Sequence, residues 1–154
     1  MKVTKTNKTY ERIEHTKGRY FFHFDAHEEG GVITCQEQDF REKPTEAQLR
    51  AVVDKYYNAI CEKKILEGMR FNGLQIWLSI ENQTNYALAY SIARSADGST
   101  LPYRIKGYDE EGVGKYIEIE SVEAFTEFIT AMQRHIDVCV TECWKRKDAE
   151  LQNE

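Results

Sequence analysis

Apolar residues flank a central Asn72-Gly73, with Met69 and Phe71 before it and Leu74, Ile76 and Leu78 after it. Asn-Gly between two apolar runs signals a type I′ hairpin, because both central residues of that turn need positive φ. A two-residue turn also fixes register, so Phe71 faces Leu74 and Met69 faces Ile76. Met69, Phe71, Leu74, Ile76 and Leu78 then line one face, and Gly68, Arg70, Gln75 and Trp77 line the other. A face this apolar must dock on helices, and the segments on either side read as helices.

Upstream, Pro44-Thr45-Glu46-Ala47-Gln48 opens a helix, with Thr45 and Gln48 at the spacing of a capping box. Leu49, Val52, Val53, Tyr56 and Ile60 form its buried stripe, and Gly68 stops it. Downstream, Ser79 caps a second helix that runs to about Arg94 and ends at Asp97-Gly98. The amides of Asn82, Gln83 and Asn85 fall in its first turns, where they favour bonding the backbone of the preceding hairpin. Tyr103–Lys106 and Lys115–Ile119 suggest a second hairpin with a mobile tip at 107–114. Ser121 caps a last helix whose Val122, Phe125, Ile129, Met132, Ile136, Cys139 and Cys143 repeat at spacings of three and four. Phe128 and Trp144 widen that stripe beyond a coiled-coil seam, which favours packing within the domain.

Residues 8–40 read as a β-meander. Tyr20–His27 alternates Phe22, Phe24 and Ala26 against Phe21, His23, Asp25 and His27. Lys17-Gly18 and Glu29-Gly30-Gly31 supply turns, with flanking strands at about Lys8–His15 and Val32–Gln38. The fold class expected is α+β: an antiparallel meander, then helix, hairpin, helix, hairpin, helix, all within one domain over 1–154.

A net charge of −5 with both signs scattered offers no field for nucleic acid. The N-terminus has no apolar core of a leader, and no window approaches the roughly 18 apolar residues of a membrane span. The four cysteines at 35, 61, 139 and 143 lack tight ligand spacing. They read as reduced core residues, and the sequons at Asn7 and Asn82 carry no meaning in a reducing compartment.

Candidate chemistry is sparse. His23, Asp25 and His27 share one strand face, yet at about 3.3 Å per residue the histidines stand about 13 Å apart, too far to share a metal ion. They read as a solvated face. His135, Cys139 and Cys143 occupy successive i,i+4 positions, but the cysteines continue the apolar stripe, and a nucleophilic thiol needs an electropositive, accessible setting. Gly112-Val113-Gly114 follows acidic residues and does not lead into a helix, so it is no phosphate cradle. No catalytic residue, metal or cofactor is expected. Arg70, Gln75 and Trp77 join guanidinium, amide and indole on the outward hairpin face, a composition suited to a partner surface.

Gly68-Met69-Arg70-Phe71-Asn72-Gly73, with Ile76-Trp77-Leu78-Ser79 and Glu81-Asn82-Gln83-Thr84-Asn85-Tyr86, resembles the signature of an uncharacterised domain family common in phages and prophages. Members of that family often occur near or within tail-fibre and tail-assembly proteins. The resemblance covers about residues 44–148 and leaves the meander outside. Met69 stands where the family usually has an aromatic residue. The resemblance marks Gly68, Phe71, Asn72, Gly73, Ser79, Gln83 and Asn85 as the structural motif. It implies a viral context and no particular reaction. With no candidate chemistry in the sequence, the expectation is a non-catalytic structural or tail-assembly accessory protein, cytoplasmic in a bacterial host or virion-associated. Its expected partners are phage structural or assembly proteins, and a homo-oligomer is a further expectation. A small-ligand or glycan-binding module, using Trp77, Arg70, Tyr20 and Phe21, is the alternative reading.

Overall fold

The computed structural model describes residues 1–6 and 9–152, so the expected strand start at Lys8 and the Asn7 sequon lie outside the described residues. The fold is α+β with three helices and two four-stranded antiparallel sheets. It divides into two compact units, Met1–Asn58 with Trp144–Glu154, and Ala59–Cys143. The helices α1 (Glu46–Glu67) and α3 (Val122–Gln152) contribute residues to both.

The first unit is built on β1 (Lys2–Thr6), β2 (Ile13–Thr16), β3 (Arg19–Glu29) and β4 (Val32–Phe40), in the order β1-β4-β3-β2. The meander is present as β2-β3-β4, but β2 begins only at Ile13. An unexpected strand, β1, pairs with the free edge of β4. Its sequence, Lys-Val-Thr-Lys-Thr, carries too few apolar residues to announce a strand.

The alternation expected along β3 holds for Phe22 and Phe24 and then fails. Phe24 pairs with Gln36 and His27 with Thr34, so Asp25 and Ala26 together oppose Cys35 alone. This is a β-bulge, and Asp25 adopts a φ of 51°, in the left-handed region that Asp tolerates better than most side chains. Beyond it Ala26 is exposed, not on a buried face. Phe22, Phe24, Cys35, Leu49, Val53 and Tyr57 are buried in this unit. The capping box on α1 forms as expected, with Gln48 N–H donating to Thr45 Oγ1 (3.3 Å) and Thr45 N–H to Gln48 Oε1 (2.8 Å). Trp144, expected on the apolar stripe of α3, is instead 61% exposed.

The second unit carries β5 (Met69–Phe71), β6 (Leu74–Ile76), β7 (Tyr103–Tyr108) and β8 (Gly114–Ile119), in that order in the sheet, and α2 (Ile80–Ser95). The hairpin register is Met69 with Ile76, Arg70 with Gln75 and Phe71 with Leu74. Asn72 and Gly73 hold φ of 48° and 78°, as a type I′ turn requires. Met69, Leu74, Ile76 and Leu78 are buried with Tyr86, Ala93, Ile105, Ile119, Phe125, Phe128 and Met132 in one core. Phe71 packs its ring edge-on to Phe128 at 5.1 Å, as does Tyr86. The β7-β8 tip, expected to be mobile, is braced by Asp109. Its Oδ1 accepts from Glu111 N–H (3.1 Å) and Val113 N–H (2.8 Å), and its Oδ2 lies 2.8 Å from Lys115 Nζ. The Lys115 ammonium, with these backbone donors, holds the Asp109 carboxyl below the usual carboxylate range.

Gly68 joins α1 to β5 at a φ of 83°, and a Cβ there would lie 1.7 Å from the Ile76 carbonyl oxygen. At Gly73 an added Cβ meets nothing within 4 Å. Gly73→Ala should therefore cost only the strain of the left-handed conformation, about 1–2 kcal/mol. Gly68→Ala should cost more than about 4 kcal/mol, because backbone must move as well. Urea unfolding of the two variants measures the difference, and equal midpoints would disprove the close approach.

Candidate functional site

The hairpin neighbourhood is shaped by the C-terminal end of α1. A helix leaves its last four carbonyls without internal partners. Here Lys64 O lies 3.3 Å from His135 Nε2, Ile65 O accepts from Gly68 N–H (3.0 Å), Leu66 O from Leu78 N–H (3.3 Å), and Glu67 O from Gln75 Nε2 (2.6 Å). Gln75 is thus bound to its own chain as a helix cap. His135 takes part in the same set. Cys139 Sγ lies 3.8 Å from His135 Nε2, and burial pushes its thiol pKa up, the opposite of an activated nucleophile.

The amides of α2 secure the next stretch. Ser79 caps the helix, its Oγ accepting from Asn82 N–H (3.2 Å). Asn82 Nδ2 donates to Trp77 O (3.0 Å), and Gln83 Nε2 donates to Leu78 O (2.8 Å), the bonding to hairpin backbone that the amide run suggested. Asn85 is exposed and has no such bond among the described residues. The backbone at positions 77 and 78 is therefore held from both α1 and α2.

Trp77 itself is 59% exposed. It lines an open groove of about 590 Å³ with Ala59, Glu62, Lys63, Leu66 and Glu67 of α1. Arg70 is also exposed but turns to the hairpin tip, where its Nη2 donates to Gly73 O (3.1 Å) and Glu110 Oε1 (3.3 Å). The expected trio therefore separates by role: Gln75 caps α1, Arg70 braces the turn, and Trp77 presents an indole to solvent. In the first unit Tyr20 is half-buried and stacks on His15 at 4.2 Å between ring centroids.

A second constellation escaped the sequence reading. The face holding His23, Asp25 and His27 is not a solvated strand face. His23 is buried, with Nδ1 against Glu11 O and Nε2 3.1 Å from Glu37 Oε2. The bulge aims Asp25 at α1, where Oδ2 accepts from Tyr56 (2.7 Å) and Oδ1 from Tyr57 (3.0 Å). Glu150 Oε1 accepts from Asp25 N–H (2.8 Å) and Tyr57 Oη (3.3 Å), and Arg12 Nη2 donates to Glu150 O (2.8 Å). Only His27 remains exposed, 3.3 Å from Asp25 Oδ1. Tyr57 and Glu150 carry no local signal, since their partners lie 32 and 93 residues from Tyr57. In sequence the alternation of Phe22, Phe24 and Ala26 runs unbroken through Asp25, so the bulge leaves no trace there.

Compared with known proteins, the chain matches no family model, and it has no significant match among curated proteins or solved structures. Among the described residues no group of three or more His, Cys, Asp or Glu is placed to hold a metal ion. No described helix is long and apolar enough to cross a membrane.

Burial, reinforced by the Asp25 carboxylate, pushes the Tyr56 hydroxyl up to about 12. Burial and the Glu150 charge push Tyr57 higher still. A raised folded-state value favours the protonated form, so its stabilisation is complete below the unfolded tyrosine value of about 10 and is lost as pH rises towards 12. Thermal melts between pH 8 and about 12 should show this fall, and the double variant Tyr56→Phe, Tyr57→Phe should flatten it. An identical alkaline slope in the variant would remove the cluster from the explanation.

Proposed function

We propose that this protein acts without catalysis, through protein–protein contacts made by the Trp77 face, as a phage- or prophage-type structural or tail-assembly accessory protein. The observation that carries this reading is an indole left more than half exposed on a backbone pinned on both sides. Interface hot spots are enriched in Trp, and a preordered anchor loses little freedom on binding. The polar groups that suggested chemistry support the same reading. Gln75 and His135 serve α1, the Cys139 thiol is suppressed, and the Asp25 and Glu150 carboxylates accept from their own chain. The viral context rests on the resemblance of residues 44–148, and the expected partner is a structural or assembly protein of the phage.

The hairpin variants separate a contact surface from a folding role. Trp77→Ala with Arg70→Ala should change stability by no more than about 0.5 kcal/mol, because both side chains are exposed. The same pair should weaken capture of purified phage tail proteins, with losses of about 2 kcal/mol for an anchoring Trp. Thermal melts and a pull-down on the double variant read the two effects. Loss of stability with capture intact would refute the contact-surface reading.

A further inference from the structure

We infer that His23 is a proton lock in the first unit: the fold holds its imidazole doubly protonated, and this unit loosens as that proton leaves at neutral to mildly alkaline pH. His23 and Glu37 face each other as a cross-strand pair of β3 and β4. The His23 side chain is fully buried, and that of Glu37 is only 11% exposed. Both ring nitrogens meet acceptors, Nδ1 the carbonyl oxygen of Glu11 and Nε2 the Oε2 of Glu37 (3.1 Å). A carbonyl cannot donate, so the Nδ1 contact requires an N–H on the ring. A neutral ring with its proton there turns a lone pair on Nε2 towards the Glu37 carboxylate. The other tautomer turns one on Nδ1 towards the Glu11 carbonyl. Either arrangement leaves two acceptors facing each other out of water, a cost that one added proton removes. Imidazole is the stronger base than a carboxylate by about a hundredfold, so that proton rests on the ring.

The charged groups around the ring call for the same proton. Lys5 of β1 is bonded to Glu14 of β2 (2.7 Å), and the Met1 ammonium donates to the main-chain carbonyl of Glu37 (2.7 Å). Among the described residues His23 is therefore the cation in contact with the Glu37 carboxylate. Tyr10 stands 5.9 Å from the imidazole between ring centroids, and Cys35 shares the face of β4 with Glu37. Burial holds that phenol and that thiol above their ordinary values, so both stay neutral. Glu11 is itself exposed. The Arg12 guanidinium lies over the ring of Phe22, whose side chain takes the opposite face of β3.

The lock ties the segment before β2 to β4. His23 N–H donates to Arg12 O (2.9 Å) beside the bond from its ring to Glu11 O, while Nε2 reaches across to Glu37. A folded state that keeps a proton which the unfolded chain releases near about pH 6.5 gains stability that is complete below that value. The gain declines as pH rises, until the folded state releases the proton too. That window lies below the tyrosine-driven fall, and none of these residues belongs to the Trp77 face, so the two readings can fail separately.

NMR of the imidazole nitrogens in the full chain at about pH 7.5 should show a proton on each nitrogen of His23. The melting temperature should fall by about 3 °C or more between about pH 6 and about pH 9. Glu37→Gln offers Nε2 an amide N–H and keeps the main-chain carbonyl that Met1 uses. This variant should carry a single ring proton on His23 and lose most of the fall. A single ring proton on His23 in the unaltered chain overturns the inference. So does a melting temperature that stays flat over this range, or a fall that Glu37→Gln leaves unchanged. Should that variant not fold, the NMR reading on the unaltered chain still decides the matter.

Discussion

Four carbonyl groups at the end of α1 must find donors, and the second unit is assembled around how they do so. A helix end leaves its last four carbonyls without intrahelical partners, so each bonds either to water or to another part of the chain. Each acceptor recruits a different part of the chain: Lys64 O draws in α3 through His135, Ile65 O the following Gly68, Leu66 O the Leu78 amide, and Glu67 O the Gln75 side chain. Two of these donors belong to the stretch from Gln75 to Leu78. That stretch can approach α1 only because position 68 has no Cβ to strike the Ile76 carbonyl. A turn residue, a side-chain amide and an imidazole 71 residues away from Lys64 thus serve one constraint.

Once those bonds are made, what is left over is informative. Gln75, Asn82 and Gln83 are committed to backbone, as are Ser79 and the Asp109 carboxylate. Among the described residues no buried side-chain nitrogen or oxygen lacks a partner. Large apolar side chains are also left exposed, among them Trp77 beside the α1 groove, and Ile80, Leu88 and Ile92 along α2. Large exposed apolar groups of this kind are suited to burial against a partner.

The hairpin was legible because its determinants are local. Two residues set the turn, the period of two sets the faces, and both agree with the apolar pattern. The helices were legible for the same reason, through the Thr45 box, the Ser79 cap and the stripe on α3 up to Cys143. Beyond that point the stripe misleads, because Trp144 keeps its place in the pattern but stays exposed. β1 was not legible, since its five residues gain strand character only from the edge of β4. His135 shows the same limit in another form. Its i,i+4 spacing to Cys139 is visible in sequence, whereas the Lys64 carbonyl that gives it a structural role becomes adjacent only on folding.

The bulge in β3 shows why a strand face cannot be read by period alone. With Asp25 and Ala26 both opposite Cys35, the alternation shifts by one residue, and everything assigned to a face beyond Phe24 changes side. The shift turns an acid that alternation would have left in water towards two tyrosines, where two phenol donors and the Glu150 link hold it. Asp suits the position twice over, since it tolerates the left-handed backbone and its two oxygens accept one hydroxyl each. An alanine there would keep the strain and leave the Asp25-directed hydroxyls of Tyr56 and Tyr57 without that acceptor. The carboxylate thus holds the bulge through the two tyrosines of α1.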